Sequence, residues 1–214
     1  MSLLNHLGIS PQIYALLVEA TLQTLHMTAV AGLLGTLFGL PLGVLLATSG
    51  RGELLQCVTF NRIAGLVVNA TRSTPFIILV VAIIPFTRLL AGTSIGTAAA
   101  IVPLTIAAIP FIARIVETSI REVDQGLVEA AKAMGATPLQ IIRKVLIPEA
   151  MPGIVAGLTL AIVSLIGYSA MVGAVGGGGL GDLGIRYGYQ RFMPEVMALV
   201  VLVLIVLVQA VQTA

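Results

Sequence analysis

The chain has 214 residues, of which 58% are hydrophobic and only 9% charged, with a mean hydropathy of +1.09. A soluble domain carries about a quarter charged residues and cannot hide so much apolar surface at this length, so lipid is the solvent that fits. The net charge of +2 is too small to point to nucleic acid, and the placement of the charges matters more than their sum.

The first residues lack a basic run, and the first long apolar stretch is too long for the core of a signal peptide. It is therefore expected to stay in the mature protein as a spanning helix. A helix crosses a bilayer in about 20 mostly apolar residues, and runs poor in charge supply five of them. Residues 20–50 carry no charge and hold the first, with His26 near its start and Pro41 towards its end. Residues 63–87, apolar apart from Arg72, form the second, and 89–113, with Pro103 and Pro110, the third. Residues 150–181, with a glycine-rich tail, form the fourth, and 196–214 the fifth. Proline and glycine break soluble helices, but in lipid neighbouring segments satisfy the freed backbone groups. Gly32, Gly35, Gly39 and Gly43 recur at intervals of three and four. That spacing lays a smooth strip along one face of the first helix, suited to packing or to sliding against another helix. His26 has no second ligand nearby, so no metal is expected. Cys57, the single cysteine, has no partner for a disulfide or metal site and reads as a small apolar filler. The sequence stops at Ala214 directly after an apolar run with no basic anchor, and a few polar residues are expected beyond it.

Charge asymmetry orients the set. Arg51, Arg62, Arg121, Lys132, Arg143 and Lys144 fall in loops on one side, against Arg88, Arg186 and Arg191 on the other. The side with more basic residues is expected to be cytoplasmic, which puts the N-terminus outside and the C-terminus inside. The expected fold class is an all-α membrane protein of five transmembrane helices.

The third loop, residues 117–152, concentrates nine of the chain's 20 charged residues, 11 basic and 9 acidic. It is not patterned like a disordered linker. Residues 127–134 favour a helix that ends at Gly135, a natural C-cap. Thr137 and Pro138 then suit the N-cap and first position of a second helix. Leu139, Ile142 and Leu146, with Ile141 and Val145, give that helix one apolar face until Pro148 is expected to stop it. Two short helices joined by a tight glycine turn make a shaped knob.

Glu129, Ala130 and Ala131, three further residues, Gly135, then Ile142, Leu146 and Pro148 resemble the EAA loop of binding-protein-dependent ABC import permeases. In that family the loop docks in a groove on an ATP-binding subunit and transmits its closure to the membrane helices. The resemblance implies this coupling role for Glu129, Ala130, Ala131, Lys132, Ala133, Met134, Gly135 and Ala136. Ala130, Ala131, Ala133 and Gly135 are small enough for close seating, and Glu129 and Lys132 offer charged anchors at the rim. The competing reading is an amphipathic helix lying on the membrane, but the alanine face lacks the bulky anchors such helices use.

Other stretches are similar to the methionine-uptake permeases within that family: residues 72–79 (RSTPFIIL), 84–88 (IPFTR), 92–96 (GTSIG), 100–105 (AIVPLT), 167–171 (GYSAM) and 174–181 (AVGGGGLG). The likeness begins at about Glu19. It divides the chain into an N-terminal segment, 1–18, and a type I ABC importer transmembrane domain, 19–214, with the coupling loop at about 117–152. It implies a transport unit of two copies of this chain, two ATP-binding cassette ATPase subunits and an external methionine-binding protein in a bacterial inner membrane. ATP and magnesium would sit on the ATPase, with no cofactor, metal or catalytic residue on this chain, which would not itself be an enzyme. The implied substrate is L- or D-methionine, with another amino acid as the alternative. Consistent with a separate motor, the sequence has no Lys-Ser/Thr phosphate loop. An ion-coupled carrier would bury acidic residues in its spans, whereas these lie in loops or at span ends. A membrane enzyme would need a nucleophile, metal cluster or paired carboxylates, none of which occurs at convincing spacing.

Several residues admit two readings. Arg72, the charge well inside a span, either serves the pathway or is structural, snorkelling or pairing with Glu117 or a carbonyl. Arg114 and Glu117, three apart, read as a local pair. Ser164, Tyr168, Ser169 and Met171 either line the pathway as a gate or pack between helices, and Met171 in a constriction would close it by excluding water. Gly176 to Gly179 with Gly181 predict a sharp re-entry after the fourth span. Asp182, Arg186, Tyr187, Tyr189 and Arg191 make a polar outer loop of the kind that meets a delivery protein.

Overall fold

Proline and glycine, more than charge, decide where these helices break. The computed structural model describes residues 11–213. Residues 1–10 and Ala214 lie outside the described residues, and with them most of the N-terminal segment 1–18 and the chain end of the fifth span. Helix α1 (Pro11–Thr48) occupies the first described residues and runs through Pro41. It therefore begins ahead of the span expected at 20–50, and the 18/19 boundary falls within it. Its one acidic residue, Glu19, is exposed and accepts from Gln23 Nε2 at 3.1 Å.

The second span is corrected. Instead of one helix over 63–87, α2 (Val58–Ser73) and α3 (Phe76–Ala82) meet at 105°. Pro75 is the cause: its ring forces Thr74 out of the helical region, to φ −81° and ψ 125°. Helix α4 (Ile84–Ala91) ends on left-handed Gly92, φ 72°. Residues 89–91 thus belong to α4, and the third span is corrected to α5 (Thr97–Arg121), which passes Pro103 and Pro110. It outruns Ala113 because Arg114 and Arg121 both pair with Glu117 along its last turns.

The loop after α5 is shorter than the sequence pattern suggests. Helix α6 (Gln125–Ala133) is followed by α7 (Pro138–Ile141), a π-helical turn (Ile142–Leu146) and α8 (Ile147–Gly173). Pro138–Gly173 is one unbroken apolar helix, so Pro148 does not stop it and the fourth span is not 150–181. The π turn explains this: Ile147 N–H reaches back five residues to the Ile142 carbonyl. The widened turn carries the chain past a proline ring that would crowd the carbonyl four residues earlier. Helix α9 (Gly179–Leu183) leads into a second π-helical stretch (Gly184–Tyr189) before α10 (Pro194–Thr213). Among the described residues the fold is all-helical, with four helices long and apolar enough to cross a membrane, or five if the bent pair α2 and α3 counts as one span.

By contacts the chain forms two compact units. The first comprises Met1–Leu33, Pro75–Ile106 and Ile162–Ala214. Its core joins Ile13 and Ala20 of α1 to Leu180 and Leu183 of α9 and to Val196 and Val200 of α10. The expected re-entry after α8 is present. The chain reverses through Gly176 and Gly178, both at positive φ, and α9 folds back so closely that a methyl on Gly181 would lie 2.3 Å from the Ala170 carbonyl oxygen.

The second unit comprises Leu34–Thr74 and Ala107–Ala161. Here α5 is gripped on two sides through small residues. The strip on α1 packs on α5: a methyl would come within 2.6 Å of Ala108 Cβ from Gly35, 2.8 Å of the Ile109 oxygen from Gly39 and 2.5 Å of the Ala113 oxygen from Gly43. Gly153 and Gly157 of α8 meet Ser119 and Ile115 of α5 in the same way. Leu46, Val68 and Ala113 bring α2 into this core. Asn61 ties α2 to the end of α1 by donating to the Leu46 carbonyl at 2.7 Å and to Ser49 Oγ at 3.1 Å. Cys57 is exposed at the N-cap of α2, which corrects its reading as a filler: it sits in the turn between helices and not on a packed face.

Gly43→Val should therefore lower stability by about 1–3 kcal/mol through overpacking against α5. Gly65→Ala, at a helical position with nothing within 4 Å, should be neutral or stabilising. Thermal unfolding in detergent, followed by fluorescence size-exclusion, compares the two, and equal losses would mean the strip is not a packing surface.

Candidate functional site

The knob after α5 is built from local capping. At its start the Asp124 carboxylate accepts from Gly126 N–H at 2.6 Å, supplying the N-cap of α6. At its end Gly135, φ 80°, closes a Schellman motif: Gly135 N–H donates to the Lys132 carbonyl at 2.9 Å and Ala136 N–H to the Ala131 carbonyl at 3.1 Å. Thr137 and Gln140 then form a reciprocal capping box over α7, with Pro138 in the first turn. The turn thus has defined partners for its backbone groups at both helix ends.

Burial sorts the predicted coupling residues by face. Val128 and Ala131, one turn apart, are buried and seat α6, as do Ile141, Ile142 and Leu146 for the following turns. Glu129, Ala130, Lys132, Ala133, Met134 and Gly135 are exposed, and Ala136 is half-buried. Two expectations are corrected. Ala131 faces inward and cannot seat a partner. Leu139, 71% exposed, is not on the buried face of α7, because the widened π turn rotates Ile141, Ile142 and Leu146 inward together. Leu139 stands out with Met134, 81% exposed, as an apolar tip amid polar surface.

Behind the knob, Glu117 is buried and held by two arginines. Its Oε2 accepts from Arg114 Nη1 at 2.6 Å and its Oε1 lies 2.9 Å from Arg121 Nη2. Arg114 also donates to Asn69 Oδ1, linking α5 to α2. The local Arg114–Glu117 pair is therefore present. The Arg72–Glu117 pairing is not, since Glu117 is already occupied and Arg72 is exposed in the last turn of α2. Asn69 and the second arginine were missed by sequence reasoning; the i, i+4 spacing of Glu117 and Arg121 was the available signal.

The pathway candidates divide between two faces of α8. Ser164, Tyr168 and Met171 fall at i, i+4 and i+7 and share one face. Met171 is exposed and Tyr168 is half-buried, its ring stacked on Phe76 with centroids 4.4 Å apart. Ser169 lies on the opposite side, fully buried, with its hydroxyl donated to the Ile166 carbonyl at 2.7 Å. It packs, and the pathway reading for it is corrected.

The expected polar outer loop is largely helical. Asp182 is buried within α9 and paired with Arg186, and the Arg191 guanidinium lies 4.3 Å from the Tyr187 ring centroid. Tyr189 and Phe192 remain exposed, and Phe192 adopts φ 53°. His26 is exposed on α1. Among the described residues no group of three His, Cys, Asp or Glu side chains is placed to hold a metal.

A family model described as binding-protein-dependent transport system inner membrane component matches residues 39–214. The "Probable D-methionine transport system permease protein MetI" of Vibrio cholerae is 59% identical over 198 residues, covering 92% of this chain and 88% of the relative. The D-methionine transport system permease protein MetI of Escherichia coli K12 is 54% identical over 158 residues, 74% of this chain and 73% of its own. Among solved structures, a chain of the MetNI methionine ABC transporter in inward-facing conformations is similar with TM-score 0.93 at 51% identity, covering 96% of this chain and 95% of that one.

Removing the carboxylate charge in Glu117→Gln should cost about 2 kcal/mol, because it leaves two arginines uncompensated. Arg121→Gln, whose side chain is 54% exposed, should cost less than about 1 kcal/mol. Urea unfolding in detergent separates them, and a larger loss for Arg121→Gln would contradict a network centred on Glu117. Gly135→Ala should destabilise the turn by about 1 kcal/mol through its positive φ alone, since a methyl there meets nothing within 4 Å. Faster hydrogen exchange confined to the α6–α7 amides is the expected readout.

Proposed function

Since the chain belongs to the family of binding-protein-dependent transport system inner membrane components, we propose that it is the membrane-spanning permease of an ATP-driven methionine importer. The substrate rests on the names of its relatives and of its structural neighbour. The observation that carries the mechanism is the capped knob, whose α7 runs without a break into α8. Such an element transmits displacement: a push on Glu129, Ala130, Lys132, Ala133, Met134 or Gly135 moves a rod instead of bending a hinge.

In this reading the knob docks on an ATP-binding cassette ATPase, with Met134 and Leu139 filling apolar hollows and Glu129 and Lys132 as charged anchors. ATP and magnesium belong to that subunit. Two copies of this chain around a twofold axis enclose the pathway, since the helices of one copy enclose little alone. Closure of the ATPase pair draws the knobs together and tips the spans between inward-open and outward-open states, a rigid-body change. Ser164, Tyr168 and Met171 face the pathway, Met171 as a water-excluding constriction, and Arg72 borders it. An external methionine-binding protein delivers substrate to the face bearing Tyr189 and Phe192. The excess of basic residues on the knob side supports a cytoplasmic knob, an outer N-terminus and an inner C-terminus in the bacterial inner membrane.

The test is methionine uptake into vesicles holding the chain with its co-purified ATPase subunits. Uptake should require ATP and fall to background with Gly135→Trp or Glu129→Trp, with loss of the ATPase from the complex. Ala133→Cys in a Cys57→Ser background should crosslink to the ATPase. Uptake driven by an ion gradient without ATP would overturn the reading.

A further inference from the structure

Behind the knob lies a pocket of about 310 Å³, wholly within the second unit. Its walls come from the turn after α1, the end of α5 and the inner side of α6. Arg51, Arg121 and Lys132 line it with the Gln125 amide, against a single carboxylate, Glu53, and Val128 and Leu146 are among its apolar lining. Arg114, Glu117 and Arg121 together carry one positive charge, and Arg51, Lys132 and Glu53 add a second.

Cations near helix C-termini commonly bind the last carbonyls, but here several of those acceptors already have backbone or amide donors. Within the turn after α1, Ser49 N–H donates to Leu45, Leu55 N–H to Thr48 and Cys57 N–H to Ser49; after α5, Glu122 N–H donates to Thr118 and Val123 N–H to Ile120. Asn61 takes the Leu46 carbonyl. The pocket lining holds three cationic side chains against one carboxylate.

We propose that this pocket binds the phosphodiester of an anionic phospholipid. Two membrane helices end at its rim, α1 at Thr48 and α5 at Arg121, which puts it at headgroup level. Basic pockets between spanning helices are suited to such headgroups. The chain next to it supplies the other half of a lipid's chemistry: Leu55, Val58 and Phe60 are exposed at 39–46% beside the pocket-lining Leu54. A free phosphate or a carboxylate from a docked protein would match the charges but make no use of those apolar side chains. Lys132 lies on both the coupling helix and the pocket wall, so lipid occupancy bears directly on how α6 is seated. The inference needs only that these helix ends meet a membrane surface, and its failure would leave the transport reading standing.

Native mass spectrometry of the intact complex with its ATPase subunits, in mixed phosphatidylglycerol and phosphatidylethanolamine, measures the retained lipid. Selective retention of phosphatidylglycerol is expected, falling about fivefold with Arg51→Gln, the effect of one interfacial charge, and kept with Arg51→Lys and with the remote Arg88→Gln. Equal retention in Arg51→Gln and the parent would overturn the proposal. So would uptake of inorganic phosphate with no retention of dihexanoyl-phosphatidylglycerol. Lipid bound only after the ATPase subunits are stripped would also overturn it, assigning the pocket to a partner carboxylate.

Discussion

A backbone in lipid has no water to satisfy its polar groups, so every break in a spanning helix must supply its own hydrogen-bond partners. Most of the irregular features of this chain answer that demand. The π turn at Ile142–Leu146 keeps α7 and α8 continuous past Pro148. Where α9 restarts after the glycine turn, its first amides are capped from α1: Gly179 N–H donates to Gln23 Oε1 and Leu180 N–H to Thr24 Oγ1, both at 2.9 Å. Gly179 accepts this arrangement at φ 75°, where a methyl would lie 2.4 Å from Met27 Cε. Breaks are thus satisfied either locally, as at the π turn, or by a helix that approaches closely, as at Gly179.

Close approach is also what gives the second unit its rigidity. With no hydrophobic driving force between helices in lipid, contact depends on small residues that bring backbones together. Gly35, Gly39 and Gly43 do this from α1, and Gly153 and Gly157 from α8. The α5 helix between them is half buried over its apolar window, against 11% for α10, which leaves most of α10's circumference to lipid or to a second chain. Rigid packing around α5 in turn allows a buried carboxylate. Glu117 is tolerated because the frame fixes Arg114 and Arg121 on its own helix within bonding distance of it.

Sequence reading was strongest where chemistry is local and weakest where it depends on three dimensions. Gly135, Thr137 and Pro138 announce the knob because capping is decided within a few residues, and the glycine strip on α1 announces a packing face. Span ends were less legible because a count of charges treats Arg114 as an end, while the helix treats it as half of a pair. The break at Pro75 was hidden in an uncharged run, since hydropathy does not register the steric effect of a proline on Thr74. Pro148 misled in the opposite sense: a proline ends a helix only if no wider turn absorbs it. Faces were the hardest to assign. Ala131 and Ala130 are indistinguishable in composition, yet one is buried and the other exposed.

Lys132 connects the two surfaces of the knob. If α6, only nine residues long, presents one face to a docking partner and another to the membrane, as proposed, its rim residues must serve both. If the outer side of the knob is drawn toward a partner, the rim moves relative to Arg51 and Arg121, and the attraction of its charge for an anion in the pocket weakens as the inverse of their separation. An anion held there resists that movement, whereas an empty pocket, with its cations repelling one another, favours it. The seating of the knob is therefore tied to what occupies the space behind it.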